Sequence, residues 1–285
     1  MNLIIGSIIV TVAVLGGWAA HGGQLILIWQ PYEFVIICGA ALGAFVIANP
    51  MKTIIQVFKA IPRLMGGSTY TKDDYLQLLG LMYEMFSKAR KEGLMSIEAD
   101  IEEPESSPLF EKYPRIAKNH HAVEFICDYM RLVVSGAMNP FELDNLMDID
   151  LETHHEEVAE PSHAVARVAD GLPAFGIVAA VLGIVNTMSA LDGPIDKIGG
   201  LVAAALVGTF TGILLAYGFV GPMSSALERR AEEEAKFFAC LKACILANVQ
   251  GYSPQVAVEF GRKAMASDLR PSFAELESHL RGAKE

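Results

Sequence analysis

The chain has 285 residues, of which 52% are hydrophobic, and its 22 basic and 33 acidic side chains give a formal net charge of −11. It is too apolar for an ordinary soluble domain and too charged to be wholly embedded in a membrane. The acidic balance argues against binding to nucleic acid and permits a protein partner that is basic or of mixed charge.

Four long apolar segments predict four membrane-spanning helices. The segments are Leu3–Ala20, Phe34–Ala48, Gly171–Leu191 and Gly199–Val220. About 20 residues at a rise of ~1.5 Å per residue cross a hydrocarbon core of ~30 Å. No charged side chain lies in their interiors. An ion pathway through this protein would therefore need a charge supplied by another chain.

The basic residues predict the topology. Of the 22, 12 lie in residues 50–170, 9 lie in residues 223–285, and only Lys197 falls in a short loop. The positive-inside rule therefore predicts that both large polar blocks and both termini are cytoplasmic. The loops His21–Tyr32 and Asp192–Ile198 then face outward. A cleaved signal peptide is disfavoured because no basic region precedes the first apolar segment.

The two polar blocks are predicted to be helical. Apolar residues at helical spacing predict a helix over Tyr75–Lys91 that Gly93 ends, and the acidic stretch Glu102–Pro108 predicts a loop. The further predicted helices are His121–Val134, one that starts at Asn139 and Pro140 and runs toward Glu160, another after Pro161, Ser224–Asn248, Gln255–Met265 and Ser272–Leu280. The prediction is an all-α polytopic membrane protein with four transmembrane helices and a helical cytoplasmic domain.

Small residues distinguish the second pair of spans from the first. They recur at helical spacing at Gly176, Ala180, Gly183 and Thr187 in span 3 and at Gly200, Ala204, Gly208, Gly212 and Ala216 in span 4. Close backbone approach over small residues holds helices together in lipid. We predict an outer hairpin at residues 1–49, a cytoplasmic domain at 50–170, an inner hairpin at 171–221 and a cytoplasmic extension and tail at 222–285. The alternative is a hairpin that packs only on itself.

Prolines and hydroxyl groups are the other notable residues of spans 3 and 4. Pro173 and Pro222 lie at the predicted cytoplasmic ends and are candidate bends, because proline lacks a backbone donor. The polar span residues are Asn186, Thr187, Ser189, Thr209 and Thr211. Hydrogen bonds between helices are their commoner role, and lining a narrow wet path is the alternative.

Candidate catalytic and metal-binding residues are few. His120-His121 and His154-His155 lack the spacing of a zinc-binding helix and read as solvated histidines. No nucleophile–base arrangement and no phosphate-binding loop is recognisable, so the sequence predicts neither an enzyme nor a cofactor. Arg90 and Glu98 flank the turn at Gly93; a solvated charge cluster is the simpler interpretation, and contact with a moving partner is the other.

Several features occur together along the whole chain. They are the four spans, the insert of roughly 120 residues after span 2, the segment Ser-Lys-Ala-Arg-Lys-Glu-Gly at 87–93, the Asp-Gly-Leu-Pro at 170–173 and the segment Tyr217–Pro222. With these features the chain resembles the MotA family of flagellar motor stator subunits. The related ExbB and TolQ proteins share the architecture of spans 3 and 4 but have three spans and different inserts. Two spans before the insert favour the MotA-like assignment.

The resemblance implies partners and roles. In this family five copies surround two copies of MotB, whose single span carries an ion-binding aspartate, and the cytoplasmic insert pushes on the rotor protein FliG. It implies that Arg90 and Glu98 face the rotor, and that Pro173 and Pro222 couple ion binding to rotation. It also places Ala180, Thr209 and Tyr217 on the ion pathway and coupling region. Sodium-using relatives carry threonine where this chain has Ala180, which favours protons.

Other functions stay open from sequence alone. One alternative is an ExbB- or TolQ-like proton-driven transducer for an envelope partner. Another is a self-contained channel, and a third is a passive membrane scaffold without ion coupling. For a MotA-like stator subunit, the predicted location is the bacterial inner membrane.

Overall fold

The computed structural model describes residues 2–67 and 69–282, and every regular element in those ranges is helical. No strand occurs in the described residues. The prediction of an all-α fold is confirmed.

The described residues of the N-terminal half form ten α-helices and three short helical turns of other types. They are α1 (Asn2–Thr11), α2 (Gly17–Ala20), α3 (Leu25–Ile28), α4 (Pro31–Ala48), α5 (Met51–Arg63), α6 (Lys72–Glu92), α7 (Glu98–Glu102), α8 (Pro108–Glu111), α9 (Pro114–Ala117) and α10 (His120–Ser135). A π-helical turn, Val12–Gly16, joins α1 to α2, and 3₁₀ turns occupy Leu94–Ile97 and Pro104–Ser106.

The C-terminal half is built around two long helical stretches. Its helices are α11 (Pro140–Met188), α12 (Ile195–Leu215), α13 (Gly221–Val249), α14 (Pro254–Ala264) and α15 (Phe273–Gly282). A second π-helical turn, Ala216–Val220, joins α12 to α13 without a loop.

The chain divides into two compact units, each made of two separate stretches of sequence. The first unit comprises Met1–Gly67 and Val158–Arg230, and the second comprises Ser68–Glu157 and Ala231–Glu285. Helices α11 and α13 therefore contribute residues to both units.

Within the described residues, four helical stretches are long and apolar enough to cross a membrane: Asn2–Ala20, Leu25–Ala48, Pro140–Met188 and Lys197–Val249. The last two stretches extend into the second unit, whereas their apolar spans belong to the first unit. Its buried residues form two small clusters, one around Ile37, Leu172 and Ala179 and another around Phe45, Val57 and Leu227. Many large apolar side chains point outward, which is typical of helices that face lipid or other subunits.

The second unit has a conventional hydrophobic core. Tyr75, Leu79 and Phe86 of α6 are almost fully buried against residues of α10, α13 and α14. Gly261 of α14 lies so close to α13 that an added Cβ would be 2.2 Å from Cys244 Sγ. A larger residue at 261 would therefore overpack the core.

Side-chain caps start several helices as their sequences predict. Asn139 Oδ1 accepts from the amides of Phe141 and Glu142 at 3.0 Å, and Glu142 Oε2 accepts from the Asn139 amide at 3.0 Å. Thr71 and Asp74 form the same reciprocal arrangement at the start of α6. The predicted start at Asn139 and Pro140 is confirmed, because these bonds satisfy donors that the first helical turn leaves free.

Three predicted boundaries differ from the structure. The helix of span 2 begins at Pro31, so Glu33 lies in its first turn, where the positive end of the helix dipole favours a carboxylate. Span 4 begins at Ile195, which puts Lys197 in the helix rather than in a loop. The predicted loop Glu102–Pro108 contains a 3₁₀ turn, Pro104–Ser106.

Pro161 does not interrupt its helix, contrary to the prediction of two separate helices. The α11 helix continues through both Pro161 and Pro173. Ala159, Ala164 and Val165 are buried on either side of Pro161. Tertiary packing of these neighbours offsets the lost backbone hydrogen bond, which local sequence rules do not take into account.

Candidate functional site

Spans 3 and 4 make backbone contact through glycines. A Cβ built on Gly176 would lie 2.9 Å from the carbonyl oxygen of Gly208 and 3.1 Å from the Cα of Gly212. A Cβ on Gly183 would lie 2.8 Å from the Cβ of Ala205. Any side chain larger than hydrogen at Gly176 or Gly183 would force α11 and α12 apart. The small-residue rows thus hold the two helices together at close range.

Ala180 and Thr209 lie beside this contact. A Cβ on Gly208 would be 3.3 Å from the Ala180 amide nitrogen, and a Cβ on Gly176 would be 3.4 Å from the Thr209 Cα. Both residues are partly exposed. The structure therefore brings together two residues that the sequence analysis assigned to the ion pathway, at the crossing of spans 3 and 4.

The hydroxyls of span 3 bond within their own helix. Thr187 Oγ1 donates to the Gly183 carbonyl at 2.8 Å, and Ser189 Oγ donates to the Asn186 carbonyl at 2.8 Å. The preferred interpretation, hydrogen bonds between helices, is wrong for these two residues. The hydroxyl of a serine or threonine in a helix readily donates a hydrogen bond to the backbone carbonyl three or four residues earlier.

Tyr217 lies in the π-helical turn that links α12 to α13. The amide of Gly221 donates to the carbonyl of Ala216, five residues earlier, which is the π-type hydrogen bond. The Tyr217 side chain is 73% exposed, and Pro222, the second residue after the turn, is also exposed. The sequence analysis placed a candidate bend at Pro222. The structure adds a widened helical turn just before it.

A reciprocal pair of serines lies near this turn. Ser162 Oγ donates to the Ser224 carbonyl at 3.1 Å, and Ser224 Oγ donates to the Ser162 carbonyl at 3.0 Å. Both side chains are buried. The pair joins α11 to α13, two residues past Pro222, and so fixes the position of one helix on the other. Sequence reasoning missed it, because residues 62 positions apart share no local pattern.

Arg90 and Glu98 are both exposed in the second unit. Arg90 is close to the end of α6, where its Nη1 donates to the Tyr252 carbonyl at 3.2 Å, and Glu98 is the first residue of α7. Gly93, with φ of 92°, makes the turn between them. Neither residue forms an ion pair within the described part of the chain. Both remain available to a partner.

An internal ion pair supports this corner of the second unit. Lys88 Nζ lies 2.7 Å from Asp100 Oδ2, and Ser107 Oγ donates to Asp100 Oδ1 at 2.6 Å. Asp100 is buried. These contacts anchor the segment that carries Glu98, and no sequence pattern beyond the opposite charges of Lys88 and Asp100 indicates them.

The histidines do not form a metal centre. Within residues 2–67 and 69–282 no group of three potential ligands is arranged to hold a metal ion. His120 and His121 are exposed, as expected, but His154 and His155 are partly buried, so the prediction of solvated histidines is wrong for this second pair. His154 Nε2 lies 3.1 Å from Glu234 Oε1, and its ring packs edge-on against Phe238. The hydrogen bond to Glu234 raises the pKa of His154.

Two family descriptions match most of the chain. Residues 4–93 match the Motility protein A N-terminal family, and residues 117–239 match the MotA/TolQ/ExbB proton channel family. The resemblance seen in the motifs is therefore confirmed.

Curated relatives and solved structures agree with this match. The chain is 47% identical to Motility protein A of Salmonella typhimurium and 46% identical to that of Escherichia coli, covering 100% of this chain and 96% of each relative. Chemotaxis protein LafT of Vibrio parahaemolyticus is 38% identical over 98% of both chains. The fold is similar to that of the C. jejuni MotAB structure, with a TM-score of 0.77, 21% identity, and 96% of this chain and 100% of the other covered. From its full-length relatives and both matching domains, the chain belongs to the motility protein A group of the MotA/TolQ/ExbB proton channel family.

Proposed function

We propose that this chain is a stator subunit of a bacterial flagellar motor, which forms a proton channel with MotB and converts ion-motive force into torque. The observation that carries the proposal is the full-length similarity to curated motility proteins A, combined with four spans whose interiors carry no charge. The family is one of ion channels, so the chain is not an enzyme. Structures of two relatives at 21% and 23% identity are described as MotAB complexes.

The proposed assembly is the one that the resemblance to the MotA family implies. Five copies surround two MotB helices in the inner membrane, and the MotB aspartate supplies the titrating carboxylate. A carboxylate in an apolar pore has a raised pKa and can change charge at each passage. Residues 1–49 and 171–221 form the outer and inner hairpins in the bilayer. Residues 50–170 and 222–285 lie in the cytoplasm with both termini.

The proposed mechanism uses the residues at the crossing of spans 3 and 4. Ala180 and Thr209 line the path beside the MotB aspartate, and the absence of a hydroxyl at Ala180 favours protons over sodium. Protonation shifts the ring by one step around MotB, with the change taken up near Tyr217 and at Pro173 and Pro222. Each charge that moves through ~100 mV releases ~2.3 kcal/mol, so torque requires many passages.

The rotor contact is proposed for the cytoplasmic domain. Arg90 and Glu98 are exposed, lie on either side of the turn at Gly93, and have opposite charges. A partner surface with complementary charges would bind both. The proposed partner is FliG.

The decisive experiment measures proton flux into sealed vesicles that contain this chain alone, or this chain with MotB freed of any segment that blocks its channel. We expect flux only with MotB. Flux from this chain alone would indicate a self-contained channel. Absence of flux in both preparations would contradict proton conduction, and sodium flux would then be measured in the same vesicles.

Co-purification separates the two kinds of energy transducer. We expect MotB and FliG to be retained by the tagged chain. Retention of TonB- or TolA-type partners instead would identify an ExbB- or TolQ-like transducer. A scaffold without ion coupling would leave motility unchanged when the proton gradient is collapsed.

A further inference from the structure

Helix α14 has an exposed apolar face in addition to its buried one. Ala257 and Val258 are fully buried in the core of the second unit. Val256 and Phe260 lie four residues apart on the opposite side of the helix, where they are 40% and 45% exposed. A surface helix normally has polar residues on its outward face, so the folding of this unit does not account for the second apolar face.

The turn before α14 extends this apolar face to Arg90. Tyr252 in that turn is 46% exposed, and the centroid of its ring lies 5.1 Å from that of Phe260. The Tyr252 carbonyl accepts from Arg90 Nη1 at 3.2 Å. Gly251, with φ of 90°, makes the turn that places Tyr252 there. We call the three exposed side chains beside Arg90 the α14 patch: Tyr252, Val256 and Phe260.

Two exposed cations border the α14 patch. Arg90 lies at one edge, and Lys263, three residues after Phe260 on the same face of α14, lies at the other. In the ranges that the structure describes, neither cation forms an ion pair. The carboxylate of α14, Glu259, binds Arg262 instead. An apolar patch between two such cations is complementary to a surface that presents an apolar side chain beside carboxylates.

The α14 patch is mounted on a rigid part of the second unit. Gln255 Nε2 donates to Tyr83 Oη of α6 at 3.3 Å, and Gly261 keeps α14 in close contact with α13. A partner would therefore bind a surface that is already ordered, which lowers the cost of association. Aromatic and arginine side chains, which this surface combines, are enriched at the centres of protein interfaces.

We propose that the α14 patch is the apolar centre of the surface that contacts the rotor, and that the rotor presents to it an apolar side chain flanked by carboxylates. Arg90 connects the patch to the proposed rotor contact, because its guanidinium is bonded to the Tyr252 carbonyl. A contact made by Arg90 and Glu98 alone would be screened by salt, whereas burial of an apolar patch is not. The same patch of a second copy of this chain would bring like charges together, which disfavours self-association. The inference rests on the proposed function, since it takes the rotor as the partner.

Photocrosslinking in living cells identifies what covers the α14 patch. The photoreactive amino acid p-benzoylphenylalanine replaces Phe260 in the full-length chain, and irradiated cells are probed for adducts with FliG. We expect a FliG adduct from this position. A second strain carries the same amino acid in place of Arg90, inside the rotor contact already proposed. A third carries it in place of Phe141, which is 73% exposed on α11 and should give no FliG adduct.

Uncharged substitutions test the apolar character of the contact. Val256→Gln with Phe260→Gln removes apolar surface without changing charge, and should lower the torque of tethered cells at least about twofold. Proton flux with MotB in vesicles should be unchanged, because the rotor is absent there, and this shows that the variant is folded and assembled. Phe260→Leu keeps an apolar side chain and should retain most of the torque. Phe141→Gln is the matched control and should leave torque unchanged.

The outcomes separate this inference from the proposed function. A FliG adduct from position 90 but none from position 260 would overturn the role of the α14 patch and leave the rotor contact standing. Adducts of position 260 with a second copy of the chain or with lipid, in place of FliG, would also overturn it. So would parental torque in the double variant, or an equal loss of torque in Phe141→Gln. Absence of FliG adducts from both positions would contradict the rotor contact itself, and this inference with it.

Discussion

Gly176 and Gly212 approach each other so closely that a Cβ atom on Gly212 would lie 2.9 Å from the Cα of Gly176. The same atom would lie 2.6 Å from the carbonyl oxygen of Leu172. Both neighbours are backbone atoms, so neither can rotate away as a flexible side chain would.

We therefore expect Gly212→Ala to destabilise the contact between spans 3 and 4. Overpacking of this kind costs about 1–3 kcal/mol. Thermal unfolding in detergent, together with the yield of complex with MotB, would measure it. Gly200→Ala is the matched control, since a Cβ on Gly200 of the same helix meets nothing within 4 Å. Equal stability of the two variants would contradict the close contact.

Pro173→Ala should reduce torque and proton flow while assembly with MotB is retained. Alanine restores the backbone donor that proline lacks and so stiffens α11 within span 3. Rotation of tethered cells and flux in vesicles would measure the two effects.

Pro161→Ala is the matched control for this prediction. It restores the same donor in the same helix, outside the predicted span, and should leave torque near that of the parent protein. Normal torque and ion flow in the Pro173→Ala protein would exclude a coupling role for Pro173.

Charge reversal at the exposed corner should impair torque without impairing membrane insertion. We expect Arg90→Glu and Glu98→Lys each to slow rotation, because each replaces the proposed attraction to the rotor with a repulsion. Lys118→Glu is the control, an exposed lysine elsewhere in the second unit. If cells with both charge reversals swam at parental speed, the proposed contact of Arg90 and Glu98 with the rotor would be wrong.

Reversing the charge of Asp100, in the ion pair with Lys88, should destabilise the fold, unlike the reversals at Arg90 and Glu98. Asp100 is buried and paired with Lys88, so Asp100→Lys would leave two like charges together. We expect the free energy of unfolding of this variant to fall by about 3–5 kcal/mol, so that little folded protein remains. The variants at Arg90 and Glu98 should stay folded. Protease resistance of the second unit would distinguish the destabilised variant from the two folded ones.

The pair of His154 and Glu234 should make stability depend on pH. Its hydrogen bond to Glu234 raises the pKa of His154 above its usual 6.5 in the folded state, with Asp150 and Glu157 adding smaller effects. The stabilisation is therefore complete below the unfolded pKa and is lost as the pH rises through the folded pKa. Both groups lie outside the predicted spans.

Glu234→Gln should remove this dependence and lower the pKa of His154. The loss near pH 6 should be on the order of 1 kcal/mol, for a hydrogen bond to a charged group that is partly exposed. Thermal unfolding at pH 6 and pH 8, with an NMR titration of labelled histidine, would measure both effects. Glu228→Gln, an exposed glutamate on the same helix, should change neither. An unchanged pKa of His154 would contradict the assignment.

Features that repeat along the chain could be predicted from sequence. The small-residue rows of spans 3 and 4 follow from residues three or four apart on one helix face, and the start of α11 follows from Asn139 and Glu142 three residues apart. Contacts between distant residues could not be predicted. His154 and Glu234 are 80 residues apart, and neither position has a local feature that identifies its partner.

Local rules were also wrong where packing decides the outcome. Proline at 161 reads as the end of a helix, yet buried neighbours keep α11 continuous. The functional assignments at Pro173, Pro222, Ala180, Thr209 and Tyr217 stay predictions. They depend on a partner helix, and one chain alone contains no pattern that specifies such a partner.

The second unit is formed by two stretches that are far apart in the sequence, and this affects its folding during synthesis on the ribosome. Phe237, Leu241 and Ala257 complete a core whose first members lie in α6, and they are made only after spans 3 and 4. Between residue 157 and the end of that core, translation at ~5–20 residues per second takes roughly 6–25 s. During that interval the apolar faces of α6 and α10 lack the residues that cover them in the folded unit. We expect chaperones to bind the nascent protein at this stage.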